Sequence, residues 1–114
     1  MIRAREAPIP IPGSLKLTGP DVAALCRRWK VRELAVFGSA LRDDFRSDSD
    51  VDLLVTFEPD ANWGLLDQAT MESELAALLG RKVDLVSRRA VERSANWIRR
   101  QAILGSAEIV HVAR

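Results

Sequence analysis

The sequence predicts an α+β fold, a small mixed sheet with helices packed on one face and polar side chains presented on the other face or at the rim. Three observations carry that expectation. Apolar runs short enough for strands are interleaved with segments whose apolar residues recur at helical spacing. The length of 114 residues is that of one ordinary domain with a single core. Glycines stand where helices of that spacing have to stop.

Residues 1–17 interleave Pro8, Pro10 and Pro12 with Ile9 and Ile11, which excludes helix and favours an extended arm, leaving 18–114 as the folded domain. Thr18 and Asp21 bracket Gly19 and Pro20 as a capping box. Val22, Leu25, Cys26 and Trp29 follow at i, i+3, i+4 and i+7, so a helix is expected over about 21–30, with Cys26 and Trp29 in its core-facing stripe. Residues 34–37 make the first strand and 51–57 the second, and Glu58-Pro59-Asp60 ends the latter. Met71, Leu75, Leu78 and Leu79 mark an amphipathic helix over about 64–79, stopped by Gly80. In the third strand, 82–86, Asp84 and Val86 share one face while Val83 and Leu85 take the other. Ser94 reads as the N-cap of a last helix to about residue 104, with Ala95, Ile98 and Ala102 inward, and 108–112 as a short final strand.

Composition removes several function classes. Seventeen Lys and Arg against sixteen Asp and Glu leave a formal charge of +1, so no global footprint for nucleic acid exists and direct nucleic-acid binding is not expected. The arginines Arg88, Arg89, Arg93, Arg99 and Arg100 gather towards the C-terminus, where a solvated face is the ordinary reading. One cysteine excludes an internal disulfide and a cysteine-rich zinc site, and His111, the sole histidine, has no companions for a triad or a zinc site. A surface or edge-strand position is expected for it. No apolar run has the length of a signal or membrane segment, so a cytoplasmic protein with no membrane contact is expected.

The chemistry resides in one spacing. Gly38-Ser39 closes the first apolar run, and after ten residues Asp50 and Asp52 stand at alternate positions heading the second. Alternate strand residues share a face, so the two carboxylates stand roughly 7 Å apart along the backbone and aim into one space. They repel unless a cation lies between them, and Mg²⁺ is a natural occupant because it takes oxygen ligands from one or two carboxylates and a substrate phosphate. Gly38 permits close approach of a phosphate to the backbone, and Ser39 offers a hydroxyl and free N–H groups. A calcium loop beginning at Asp48 fails, since it needs Gly where Leu53 stands and Glu where Pro59 stands. A plain solvated loop accounts for Asp43, Asp44 and Asp48 but poorly for Asp50 and Asp52, because strands are depleted in Asp.

The constellation Gly38-Ser39, ten residues, Asp50-Val51-Asp52 resembles the signature of the nucleotidyltransferase superfamily related to DNA polymerase beta, and the short chain resembles its minimal branch, the MNT proteins. The likeness covers about residues 34–86 and extends through Arg81-Lys82-Val83-Asp84-Leu85-Val86, where the family's third carboxylate falls on Asp84. The resemblance implies a polymerase beta-like fold in which Asp50, Asp52 and Asp84 hold two Mg²⁺ ions roughly 4 Å apart. It further implies that Asp84 helps deprotonate the acceptor and that Gly38 and Ser39 hold the phosphates of ATP. Arg42 and Arg46 would neutralise the departing pyrophosphate. MNT proteins of this look are commonly antitoxins beside HEPN ribonuclease toxins, transferring AMP to a toxin tyrosine. A hetero-oligomer with a HEPN-type partner is therefore expected, with Ile9, Ile11, Trp63 and Trp97 as candidate anchors, packing on its own helix being an equal reading for each tryptophan. Two other functions compete: a non-catalytic antitoxin acting by occlusion, and a transferase acting on a small molecule.

Overall fold

The computed structural model describes residues 19–38 and 50–112. Its elements are α1 (Pro20–Arg28), β1 (Val31–Phe37), β2 (Val51–Phe57), α2 (Leu65–Leu79), β3 (Val83–Ser87), α3 (Arg88–Glu92), α4 (Trp97–Ser106) and β4 (Glu108–Val112). The strands form one sheet in the order β3-β2-β1-β4. β1 pairs antiparallel with β2 and β4, and β3 lies parallel to β2, so the sheet is mixed, as expected. The parallel pair requires a crossover, and α2 supplies it.

α1 starts with Pro20, whose missing N–H costs nothing in a first turn; Gly19 is its N-cap and makes no side-chain cap bond. Thr18 and the arm of residues 1–17 lie outside the described residues. Val22, Leu25 and Cys26 are buried, and burial pushes the Cys26 thiol up to about 11, which keeps it protonated and unreactive. β1 begins three residues before the apolar run, at Val31, because Lys30 takes a left-handed turn (φ 56°) straight out of the helix end. α2 opens with the Gly64 N–H donating to Asp67 Oδ2 at 3.0 Å and stops at Gly80 with φ 67°, the left-handed stop expected there.

The principal core lies between one sheet face and helices α1 and α2. Leu34, Val36, Val51, Leu53 and Val55 meet Leu25, Cys26, Met71 and Leu75, all buried. Each such aliphatic side chain contributes about 2 kcal/mol by leaving water. The two helices are tied by Glu74, whose Oε1 accepts from the Trp29 indole at 2.8 Å and from the Arg28 guanidinium. The Trp29 hydrogen bond first, then Arg28, holds the Glu74 carboxyl below its ordinary range. Trp63 packs edge-on against Trp29, ring centroids 5.1 Å apart, and donates its indole N–H to the Trp29 carbonyl at 2.7 Å. Of the two roles open to it in the sequence, anchor or packing residue, Trp63 is thus the half-buried packing residue, though against α1 and not its own helix.

The opposite face is covered too, so helices pack on both faces and not on the one expected: Ala35, Phe37 and Leu54 meet Val91 of α3 and Ile103 of α4 in a smaller cluster. The sequence pattern did not resolve α3, a five-residue helix whose N-cap Ser87 accepts from the Ala90 N–H. α4 is rotated from its expected setting. Ile103 is its buried residue, while Ala95, Ile98 and Ala102 are exposed, and Asn96 is the N-cap, accepting from the Arg99 N–H at 3.0 Å. Ser94 instead shapes the preceding turn, accepting from the Asn96 N–H.

His111 sits on edge strand β4, one of the two places expected for it, with Nε2 buried and without a hydrogen-bond partner among the described residues. Desolvation first, then the nearby Arg27 charge, lowers its pKa from 6.5. The unfolded chain therefore binds this proton more readily than the folded one, so His111 destabilises the fold as pH drops from 6.5 through the lowered value. Glu74 acts only lower, below 4.5. Thermal melts from pH 7.5 to about pH 5.5 are expected to show falling stability in wild type and a flatter profile in His111→Gln. Equal slopes in the two would refute the assignment.

Candidate active site

Antiparallel pairing sets Phe37 of β1 opposite Asp52 of β2, and parallel pairing sets Asp52 opposite Asp84 of β3. Register partners on neighbouring strands, about 4.8 Å apart, share a face, so Asp52 and Asp84 stand side by side. Asp50, exposed, precedes β2 by one residue and shares the side of Asp52 by strand alternation. That side is also the one on which Leu54 meets α3 and α4, but the carboxylates occupy the end of it where β1 finishes and β2 begins. Asp84 is exposed on the edge strand.

The edge strand is held from behind. Glu72 of α2 accepts from the Leu85 N–H at 2.7 Å, satisfying a backbone donor that an edge strand leaves open and fixing the residue next to Asp84. Among the described residues, no three His, Cys, Asp or Glu side chains are gathered into a ready-made metal cluster.

Gly38 closes β1 with φ 73°, a conformation that L side chains rarely adopt. A methyl group there would overlap Asp52 Oδ2 and come within 3.2 Å of its carboxyl carbon. The bare Cα is therefore required twice, once by the turn and once by the carboxylate lying against it. The arrangement fits a divalent ion and a phosphate: hard oxygen donors on one face, beside a glycine backbone with no side chain of its own. Ser39, Arg42 and Arg46 lie outside the described residues.

A cavity of about 240 Å³ lies at the other end of β2, lined by Phe57, Trp63, Gln68, Ser87 and Arg88. Ser87, Arg88 and Glu92 of its lining are already engaged. Ser87 caps α3, and Arg88 bonds Glu92 at 3.0 Å and reaches Glu33 at 3.9 Å. Glu72 is the residue near the site that sequence reading missed, since nothing in a lone Glu thirteen residues before Leu85 announces the bond.

A family model described as nucleotidyltransferase domain matches residues 22–110. The protein adenylyltransferase MntA of Thermococcus cleftensis is 46% identical over 68 residues, 60% of this chain and 67% of that protein. Curated relatives are matched over about two thirds of their own length. A solved structure assigned as a minimal nucleotidyltransferase is 41% identical, with a TM-score of 0.59 over 76% of this chain and 83% of that one. The same fold occurs in a chain of the complex between a tri-AMPylated HEPN toxin of Shewanella oneidensis and an MNT antitoxin, 22% identical, TM-score 0.60 over 87% of this chain and 73% of that one.

Proposed function

Since the chain belongs to the nucleotidyltransferase domain family, we propose that it moves AMP from ATP onto a hydroxyl of a partner protein, a tyrosine of a HEPN-type toxin, and so acts as the antitoxin of that pair. The observation that carries the reading is Gly38, left-handed and bare, against Asp52, with Asp84 in register beside it. The likeness to the MntA adenylyltransferase supports the donor and the class of acceptor.

Asp50, Asp52 and Asp84 are the carboxylates that would hold Mg²⁺, two ions in this reading, which when bound neutralise charge on the attacking and leaving oxygens. Gly38 leaves its backbone open to the triphosphate, and the Ser39 hydroxyl binds a non-transferred phosphate. Arg42 and Arg46 offset charge on the pyrophosphate. Asp84, on the exposed edge, takes the proton of the acceptor hydroxyl; the new bond runs from that oxygen to the α-phosphorus, and the bond from the α-phosphorus to pyrophosphate breaks. The three carboxylates make nucleotide affinity depend on the cation, because without one they repel a triphosphate. The reaction takes place in the cytoplasm, and no helix among the described residues is long and apolar enough to cross a membrane.

The test is incubation of the full chain with labelled ATP, Mg²⁺ and the HEPN-type protein encoded beside it, followed by mass spectrometry of that protein. A gain of one or more AMP on tyrosine, abolished by excess chelator, is expected. Unmodified partner with every nucleoside triphosphate, or nucleotide binding as tight in chelator as in Mg²⁺, would refute the reading.

A further inference from the structure

The rotation of α4 leaves an unusual surface. Trp97, Ile98, Gln101, Ala102 and Gly105 are all exposed and fall on one side of the helix, an uncharged stripe in a chain that is 29% charged. Trp97 is 58% and Ile98 66% exposed, the pair standing on the first turn. Around this stripe the charge has one sign. Residues 88–100 hold five arginines and one acid, Glu92, which is engaged with Arg88. Arg93, which ends α3, and Arg99 of α4 are exposed, and α3 packs against α4.

Building on the proposed function, we infer that the α4 face is the docking surface for an acidic, apolar-grooved patch on the acceptor protein, with Trp97 and Ile98 as its anchors. Tryptophan and arginine are the residues that dominate protein interfaces when an apolar centre is rimmed by charge. A second copy of this chain is a poor occupant, because a two-fold contact would set arginines against arginines. Nucleic acid fits less well, since an aliphatic Ile98 and the small uncharged residues behind it neither pair with phosphates nor stack on bases. The fold also links this face to the site. α4 runs about 15 Å from Trp97 to Ser106, and β4 follows at once, with Glu108 opposite Val36 and so one residue from Phe37, the partner of Asp52. A protein seated along α4 is therefore carried to the rim of the carboxylate site.

Calorimetry and gel filtration of the full chain with the HEPN-type protein encoded beside it test this. Trp97→Ser with Ile98→Ser is expected to weaken the complex about a hundredfold or more, leaving Mg-ATP binding by the chain alone unchanged. The control is Leu65→Ser with Leu66→Ser, two leucines each 85% exposed on α2, expected to change the affinity by less than about threefold. Arg93→Glu with Arg99→Glu should weaken the complex and remove most of its salt dependence. Full affinity in the α4 double variant, or equal loss in the α2 control, overturns the inference. So does self-association lost with Trp97, or capture of a single-stranded RNA oligomer by this face. If wild type modifies the partner while the α4 variant binds it normally, docking alone fails; if the complex needs α4 but no AMP is transferred, the transfer reading fails and docking stands.

Discussion

Replacing Asp50 and Asp52 together with asparagine is expected to cut AMP transfer by about a thousandfold or more while leaving the fold and the partner complex intact. Asparagine keeps the size and planarity of the carboxyl group and removes its charge. Val51 between them is fully buried and bears the packing at this point of β2, so the two aspartates can lose charge without disturbing the core. Circular dichroism melts and complex formation serve as controls, and transfer to the HEPN-type protein is the readout. Wild-type transfer by the double variant would remove both residues from the site. Full neutralisation of the toxin in cells by a transfer-dead variant would separate the two competing modes, leaving occlusion as the means by which the partner is silenced.

The site's skeleton was legible in the sequence because it is local. Gly38 ends an apolar run, Asp50 and Asp52 alternate at the head of another, and Gly80 stops a helix, each a matter of neighbouring residues and backbone conformation. The register that sets Asp84 beside Asp52 was not legible from those neighbours, since β2 and β3 are separated by all of α2 and their pairing is fixed by packing of that helix on the sheet. The Glu72 bond to Leu85 depends on the same packing. α4 misled for a related reason. Its apolar residues fit two stripes, Ala95-Ile98-Ala102 or Ile103-Leu104, and only the position of Phe37 and Leu54 on the second sheet face chooses between them. Trp63 likewise drew its role from Trp29, thirty-four positions away, which no window along the chain contains.

Gly38 permits a sharper experiment than the carboxylates, because the chain holds its own control. Gly38→Ala and Gly80→Ala impose the same backbone strain, at φ 73° and 67°, each costing about 1 kcal/mol of stability. They differ in surroundings. An added methyl at Gly80 meets nothing within 4 Å, whereas at Gly38 it overlaps Asp52 Oδ2. The Asp52 carboxylate must then turn away, and a displacement of about 1 Å in a positioned group costs about a hundredfold in rate. Both variants are therefore expected to melt a few degrees lower, by about 4–8 °C, but only Gly38→Ala should lose transfer, with a matching rise in the Mg²⁺ concentration needed for half-maximal activity. Valine at position 38 should deepen the loss of activity, since its branches press further into the carboxylate. Equal activity per folded molecule in the two alanine variants would reduce Gly38 to a turn residue and detach it from the Asp52 carboxylate. Loss confined to Gly38 would tie the left-handed turn to the chemistry through Asp52, the residue it faces.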